Sequence, residues 1–62
     1  MTAKLIATHQ DLRREVWAQF DPTAEVWELF ASKECDDYLG CADTLTEAKA
    51  VAREWFEDLM SR

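Results

Sequence analysis

The sequence predicts an α+β domain: a small antiparallel sheet of three strands, with a candidate fourth, and one C-terminal helix packed on one face. Three observations carry that expectation. The last third of the chain spaces its apolar residues as a helix does. Two β-rich runs, REVWAQF and EVWELFA, flank a short turn sequence. The chain has only 62 residues, enough for one domain around one core.

The elements are justified in chain order. Lys4–Thr8 is the candidate fourth strand, at an edge. Arg14–Phe20 and Glu25–Ala31 form the expected hairpin around Asp21-Pro22-Thr23-Ala24, where Pro22 sets φ and the Asp21 carboxylate can cap the turn. A helix over residues 9–19 competes with this reading. Thr8-His9-Gln10-Asp11 resembles a helix start, and Leu12, Val16 and Phe20 are spaced by four. The β-branched and aromatic content of residues 16–20, and the matching run that follows, favour strands. Ser32–Asp37 is a polar loop, and Tyr38–Ala42 is the third strand. The helix spans Leu45–Met60. From Ala48 its apolar residues recur at +3, +4, +7, +8 and +11, which is one stripe. Thr44 and Glu47 form a T-x-x-E capping box at its start. Glu47, Lys49, Arg53, Glu54, Glu57 and Asp58 fall off the stripe and are expected in solvent.

One helix covers one face of a sheet, so the other face is expected to lie open. Strand alternation puts Val16, Ala18 and Phe20 on one face, with Glu15, Trp17 and Gln19 on the other. In the second run Trp27, Leu29 and Ala31 alternate with Val26, Glu28 and Phe30. If the glutamates are wet, Trp17, Val26 and Phe30 are wet too. Large apolar groups between carboxylates describe a binding surface. Strand twist, or the N-terminal segment folded over that face, are the alternatives.

Charge bounds the partners. Thirteen acids against seven bases give a formal net charge of −6. Residues 1–14 hold three bases and one acid (+2), while residues 15–62 hold four bases and twelve acids (−8). Such a body repels nucleic acid and anionic membrane and attracts basic protein surfaces. Direct nucleic-acid binding is not expected, because scattered bases in an acidic field cannot supply the phosphate contacts. No apolar run approaches the roughly 20 residues of a membrane span, and the start lacks a signal-peptide core, so the expected location is cytoplasmic.

The residues that carry chemistry are sparse. His9 is the sole histidine and reads as a surface residue, so neither a nucleophile–base pair nor a metal site is expected. Cys35 and Cys41 read as free thiols, the paired form being the alternative. Asp36–Asp37 reads as a solvated turn, and the single glycine, Gly40, makes no phosphate loop. The expectation is a non-enzyme with no cofactor. Rows of carboxylates are the remaining signal. Glu54 and Asp58 are helix neighbours, and strand carboxylates two apart lie roughly 6.6 Å from each other. DNA phosphates repeat on that scale, so such rows can stand in for phosphates in a basic groove.

Two resemblances sharpen these expectations. Asp37-Tyr38-Leu39-Gly40-Cys41 followed by Asp43-Thr44-Leu45-Thr46-Glu47-Ala48 resembles the strand-to-helix junction of the HicB-like antitoxin domain, over roughly residues 15–60. The resemblance implies strands followed by a helix, and an antitoxin that neutralises a small toxin. In size, charge and single-domain build the chain also looks like the small acidic proteins of phages and mobile elements, especially anti-CRISPR proteins. That resemblance implies a non-enzymatic inhibitor that blocks DNA binding by a CRISPR effector subunit in the host bacterial cell. Glu15, Glu25, Glu28, Asp36, Asp37, Glu54, Glu57 and Asp58 are the candidate charges, and Trp17 and Phe30 the candidate apolar anchors. A homodimer that pairs its open faces is a third class.

Overall fold

A computed structural model describes residues 3–61. Five elements follow one another: β1 (Lys4–His9), β2 (Arg14–Asp21), β3 (Val26–Phe30), β4 (Tyr38–Ala42) and α1 (Leu45–Met60). The strands form one antiparallel meander in the order β1-β2-β3-β4. The helix lies across one face of the sheet and touches all four strands. This is the expected α+β architecture with the fourth strand present. The helical alternative for residues 9–19 does not occur: His9 ends β1, residues 10–13 turn, and β2 begins at Arg14.

Local chemistry explains each junction. The β2–β3 turn is held by Asp21, whose Oδ1 accepts the Thr23 N–H at 3.0 Å while its carbonyl accepts the Glu25 N–H at 2.7 Å. Glu25 closes the turn at φ 58°, so it is an exposed turn residue rather than the first residue of the strand. Ala31 likewise falls outside β3, where its N–H bonds the Asp37 carbonyl at 2.9 Å and pins the β3–β4 loop. At the helix start the Thr44 hydroxyl accepts the Glu47 N–H at 3.1 Å. The Glu47 carboxylate reaches one residue further back than a capping box expects, to the Asp43 N–H at 3.3 Å.

The core lies between helix and sheet. Val16, Ala18, Leu29 and Ala42 of the strands pack with Ala48, Ala52 and Phe56 of α1. Four of these seven are alanines, which lets the helix approach the sheet closely. Each edge strand carries a bulge that adjusts the pattern. In β1, Leu5 pairs with Trp17 and Ala7 with Val16, leaving Ile6 as an extra residue. In β4, Tyr38 pairs with Phe30 and Gly40 with Leu29, leaving Leu39 extra. Ile6 and Leu39 both pack against the core. Gly40 has φ 154°, and no atom lies within 4 Å of where its Cβ would sit, so backbone conformation selects glycine here rather than space. Met60, the last residue of α1 and one position past the stripe, is 54% exposed. His9, expected as a surface residue, is half-buried with its ring 5.4 Å from that of Phe56.

Phe56 anchors α1 to the sheet and is 6% exposed. We expect Phe56→Ala to cost about 3–5 kcal/mol, much of the stability of a domain this small. Arg53→Ala, on the exposed flank, should melt as wild type does. Thermal unfolding followed by far-UV circular dichroism checks both, and a near-wild-type melt for Phe56→Ala would contradict the packing described.

Candidate functional site

The face away from the helix is the candidate site, and strand pairing assembles it. Leu5 pairs with Trp17, Trp17 with Phe30 and Phe30 with Tyr38, so one apolar row crosses all four strands. None of these four belongs to the helix-side core cluster. The row is aromatic over three strands, and the Phe30 and Tyr38 rings meet edge-to-face with centroids 5.7 Å apart. On one side of it Glu15 pairs with Thr8, and on the other Gln19, Glu28 and Cys41 align across β2, β3 and β4. Glu15 and Glu28 therefore bracket the row. Val26 shares this face further along β3, opposite Asp21.

The row is not uniformly open. Phe30 is only 8% exposed, because it sits on an inner strand between Trp17 and Tyr38. Trp17 and Val26 are half-buried. The expectation that Trp17, Val26 and Phe30 are wet is thus corrected: they lie on the open face, yet their neighbours cover most of them. The accessible members are the edge residues Leu5, 45% exposed, and Tyr38, 58% exposed. Sequence reasoning missed both, since their place in the row depends on the two bulges. Trp17 Nε1 is buried without a protein acceptor, an arrangement that costs roughly 1–3 kcal/mol.

The candidate charges do not converge on this face. Glu15 and Glu28 lie on it, half-buried. Glu25 is in the β2–β3 turn. Asp36 and Asp37 are exposed in the β3–β4 loop, where the Asp36 carboxylate accepts the Ser32 hydroxyl at 2.7 Å. Glu54, Glu57 and Asp58 are exposed on α1, in the layer behind the sheet. A partner seated on the open face meets Glu15, Trp17, Glu28 and Phe30 together, and the helix acids only through the long-range field. The thiols of Cys35 and Cys41 are free. Among the described residues no group of three or more His, Cys, Asp or Glu is placed to hold a metal ion. No helix there is long and apolar enough to cross a membrane.

Fold and face together define a small α+β domain with one helix-covered sheet face and one open, apolar-and-acidic face. No protein family, no curated protein and no solved structure matches the chain.

Tyr38 reports on this face. Desolvation of its hydroxyl, the charge and hydrogen bond of the neighbouring Cys41 side chain, and the Glu28 carboxylate raise its pKa above the ordinary 10.0. It is the only tyrosine, so a phenolate absorbance titration reads it alone. We expect a midpoint above 10.0 that falls toward that value in Glu28→Gln. The folded state favours the neutral phenol. Its contribution is therefore complete below the unfolded-state pKa and is lost as pH rises through the higher folded-state value. An ordinary midpoint in the wild-type protein would contradict the raised pKa.

Proposed function

We propose that this protein is a non-enzymatic inhibitor that docks its open sheet face onto a basic, nucleic-acid-binding surface of a host complex, the specific candidate being a CRISPR effector subunit. One observation carries the reading. An apolar row spanning four strands, with Leu5 and Tyr38 accessible at its ends, is bracketed by Glu15 and Glu28. Apolar contact provides affinity at the centre of an interface, and the carboxylates select a basic partner around it. The net charge of −6 steers association and makes it salt-sensitive. The acidic groups act as substitutes for DNA phosphates, with Glu15 and Glu28 in contact and Asp36, Asp37, Glu54, Glu57 and Asp58 contributing field from outside it.

The antitoxin reading has less support. The junction residues that suggest it work locally: Thr44 and Glu47 cap the helix, Gly40 serves the β4 bulge, and Ala48 fills the core. Their roles are accounted for by the fold, whichever protein carries them. A homodimer through the open face would bring two acidic faces of like sign together, which charge opposes.

Pulldown from a bacterial lysate with the intact protein, read by mass spectrometry, should recover a nucleic-acid-binding complex. Wild-type protein should then prevent that complex from shifting DNA in a gel, while shifting no DNA by itself. Glu15→Lys with Glu28→Lys should weaken binding by about 2 kcal/mol or more through like-charge repulsion. Because Glu15 and Glu28 are half-buried, a cooperative melt of the double variant is the control that it remains folded. A folded double variant that inhibits as well as wild type would overturn the proposal. So would sedimentation showing a dimer that hides the face.

A further inference from the structure

We propose that Glu28 and Tyr38 form a site on the open face for an arginine side chain of the protein partner, with Gln19 beside them as a further acceptor. The proposal rests on the docking of that face and names the chemical group the face selects. Register brings the parts together. Gln19 pairs with Glu28 and Glu28 with Cys41, so the three lie side by side on β2, β3 and β4. Residues directly opposite on antiparallel strands have Cβ atoms roughly 4.5–5.5 Å apart. Tyr38 shares this face from β4, where it pairs with Phe30. Its ring meets that of Phe30 edge-to-face at 5.7 Å, which steadies it, and Tyr38 is still 58% exposed. The Cys41 side chain and the Glu28 carboxylate are both close enough to act on the Tyr38 hydroxyl.

Glu28 lacks a counter-charge. It is half-buried, and among the described residues it forms no ion pair and no hydrogen bond. A carboxylate that has lost part of its water without gaining a partner is destabilised, and an incoming cation supplies what is missing. An apolar partner group would desolvate Glu28 further with no compensation, and an anion would be repelled. The patch therefore selects a cation.

Among cations it fits a guanidinium better than an ammonium. A guanidinium is planar and weakly hydrated, so it lies on an aromatic ring while two of its N–H groups bond one carboxylate. Glu28 provides the two oxygens, the Gln19 amide carbonyl a further acceptor, and Tyr38 the ring. A lysine ammonium is a strongly hydrated point charge that makes no such fork. The net charge of −6 attracts both side chains alike, so discrimination between them has to come from contact.

Titration of the full, isotope-labelled chain with a capped glycine–arginine pentapeptide and with its lysine counterpart, followed by amide NMR, tests the assignment. The arginine peptide should give saturable shifts centred on Gln19, Glu28, Tyr38 and Cys41, and should bind about fivefold more tightly than the lysine peptide. This comparison needs no variant. Glu28→Gln should weaken the arginine peptide about tenfold and remove most of its advantage over lysine. Tyr38→Leu should weaken it about threefold, whereas Tyr38→Phe, which keeps the ring, should bind as wild type does. A bound guanidinium favours the phenolate, so saturating arginine peptide should lower the Tyr38 midpoint toward 10.0. Equal affinity for the two peptides at these residues would overturn the arginine site and leave docking on a basic partner standing. Shifts spread over the helix and the β3–β4 loop, or no saturable shifts, would overturn it too. Failure of the docking reading shows elsewhere, as inhibition that survives Glu15→Lys with Glu28→Lys in a folded protein.

Discussion

A single helix can cover only one face of a four-stranded sheet, and the rest of this structure follows from that constraint. The helix side has a core built largely from alanine: Ala18, Ala42, Ala48 and Ala52 surround Val16, Leu29 and Phe56. Small side chains bring α1 close to the strands, and the contact is spread over all four of them. Among the described residues Leu29 and Val16 are the largest side chains fully removed from solvent. A core that small limits the hydrophobic gain available, which at about 25 cal/mol per Å² scales with apolar area. Loss of any one large side chain is correspondingly severe.

The uncovered face compensates in a different way. Leu5, Trp17, Phe30 and Tyr38 lie in one cross-strand row and shield each other, leaving the inner pair largely covered and the edge pair accessible. Direct cross-strand pairs of this type contribute roughly 0.2–1 kcal/mol each. The same row is thus both a stabilising device and an apolar surface, accessible at Leu5 and Tyr38. The bulges at Ile6 and Leu39 serve both sides: each turns an extra apolar residue toward the core, and each interrupts the regular hydrogen-bond pattern of an edge strand. Irregular edges discourage strand-to-strand association with other chains.

Charge is distributed along the meander, and the meander gives it direction. Because neighbouring strands in sequence are neighbours in space, the basic N-terminal segment becomes one edge of the sheet, while the acidic remainder becomes the far turn, the β3–β4 loop and the helix. The +2 and −8 segments thus map onto different regions of a body about 35 Å long. Lys49 and Arg53 extend the basic side, because the helix returns diagonally from the end of β4 until Phe56 meets His9 of β1.

Much of this was legible in the sequence. Helical spacing placed α1 at Leu45–Met60 and the T-x-x-E pattern placed its cap, because both depend on residues within one or two turns of each other. Alternation placed Val16, Ala18 and Leu29 on one face and Trp17, Glu28 and Phe30 on the other, because side-chain direction in a strand is a local property. The hairpin around Asp21–Ala24 and the strand Tyr38–Ala42 were legible for the same reason. Tertiary structure alone decided what depends on contacts between distant residues. Register, shifted by bulges that no local pattern marks, put Leu5 and Tyr38 in the apolar row. Neighbours on adjacent strands covered Phe30, and the path of the helix carried Glu54, Glu57 and Asp58 into the layer opposite Glu15 and Glu28. The sequence by itself determined which residues are acidic, which are apolar and which elements hold them. Which of them share a surface was settled only by folding, since burial and pairing belong to residues far apart along the chain.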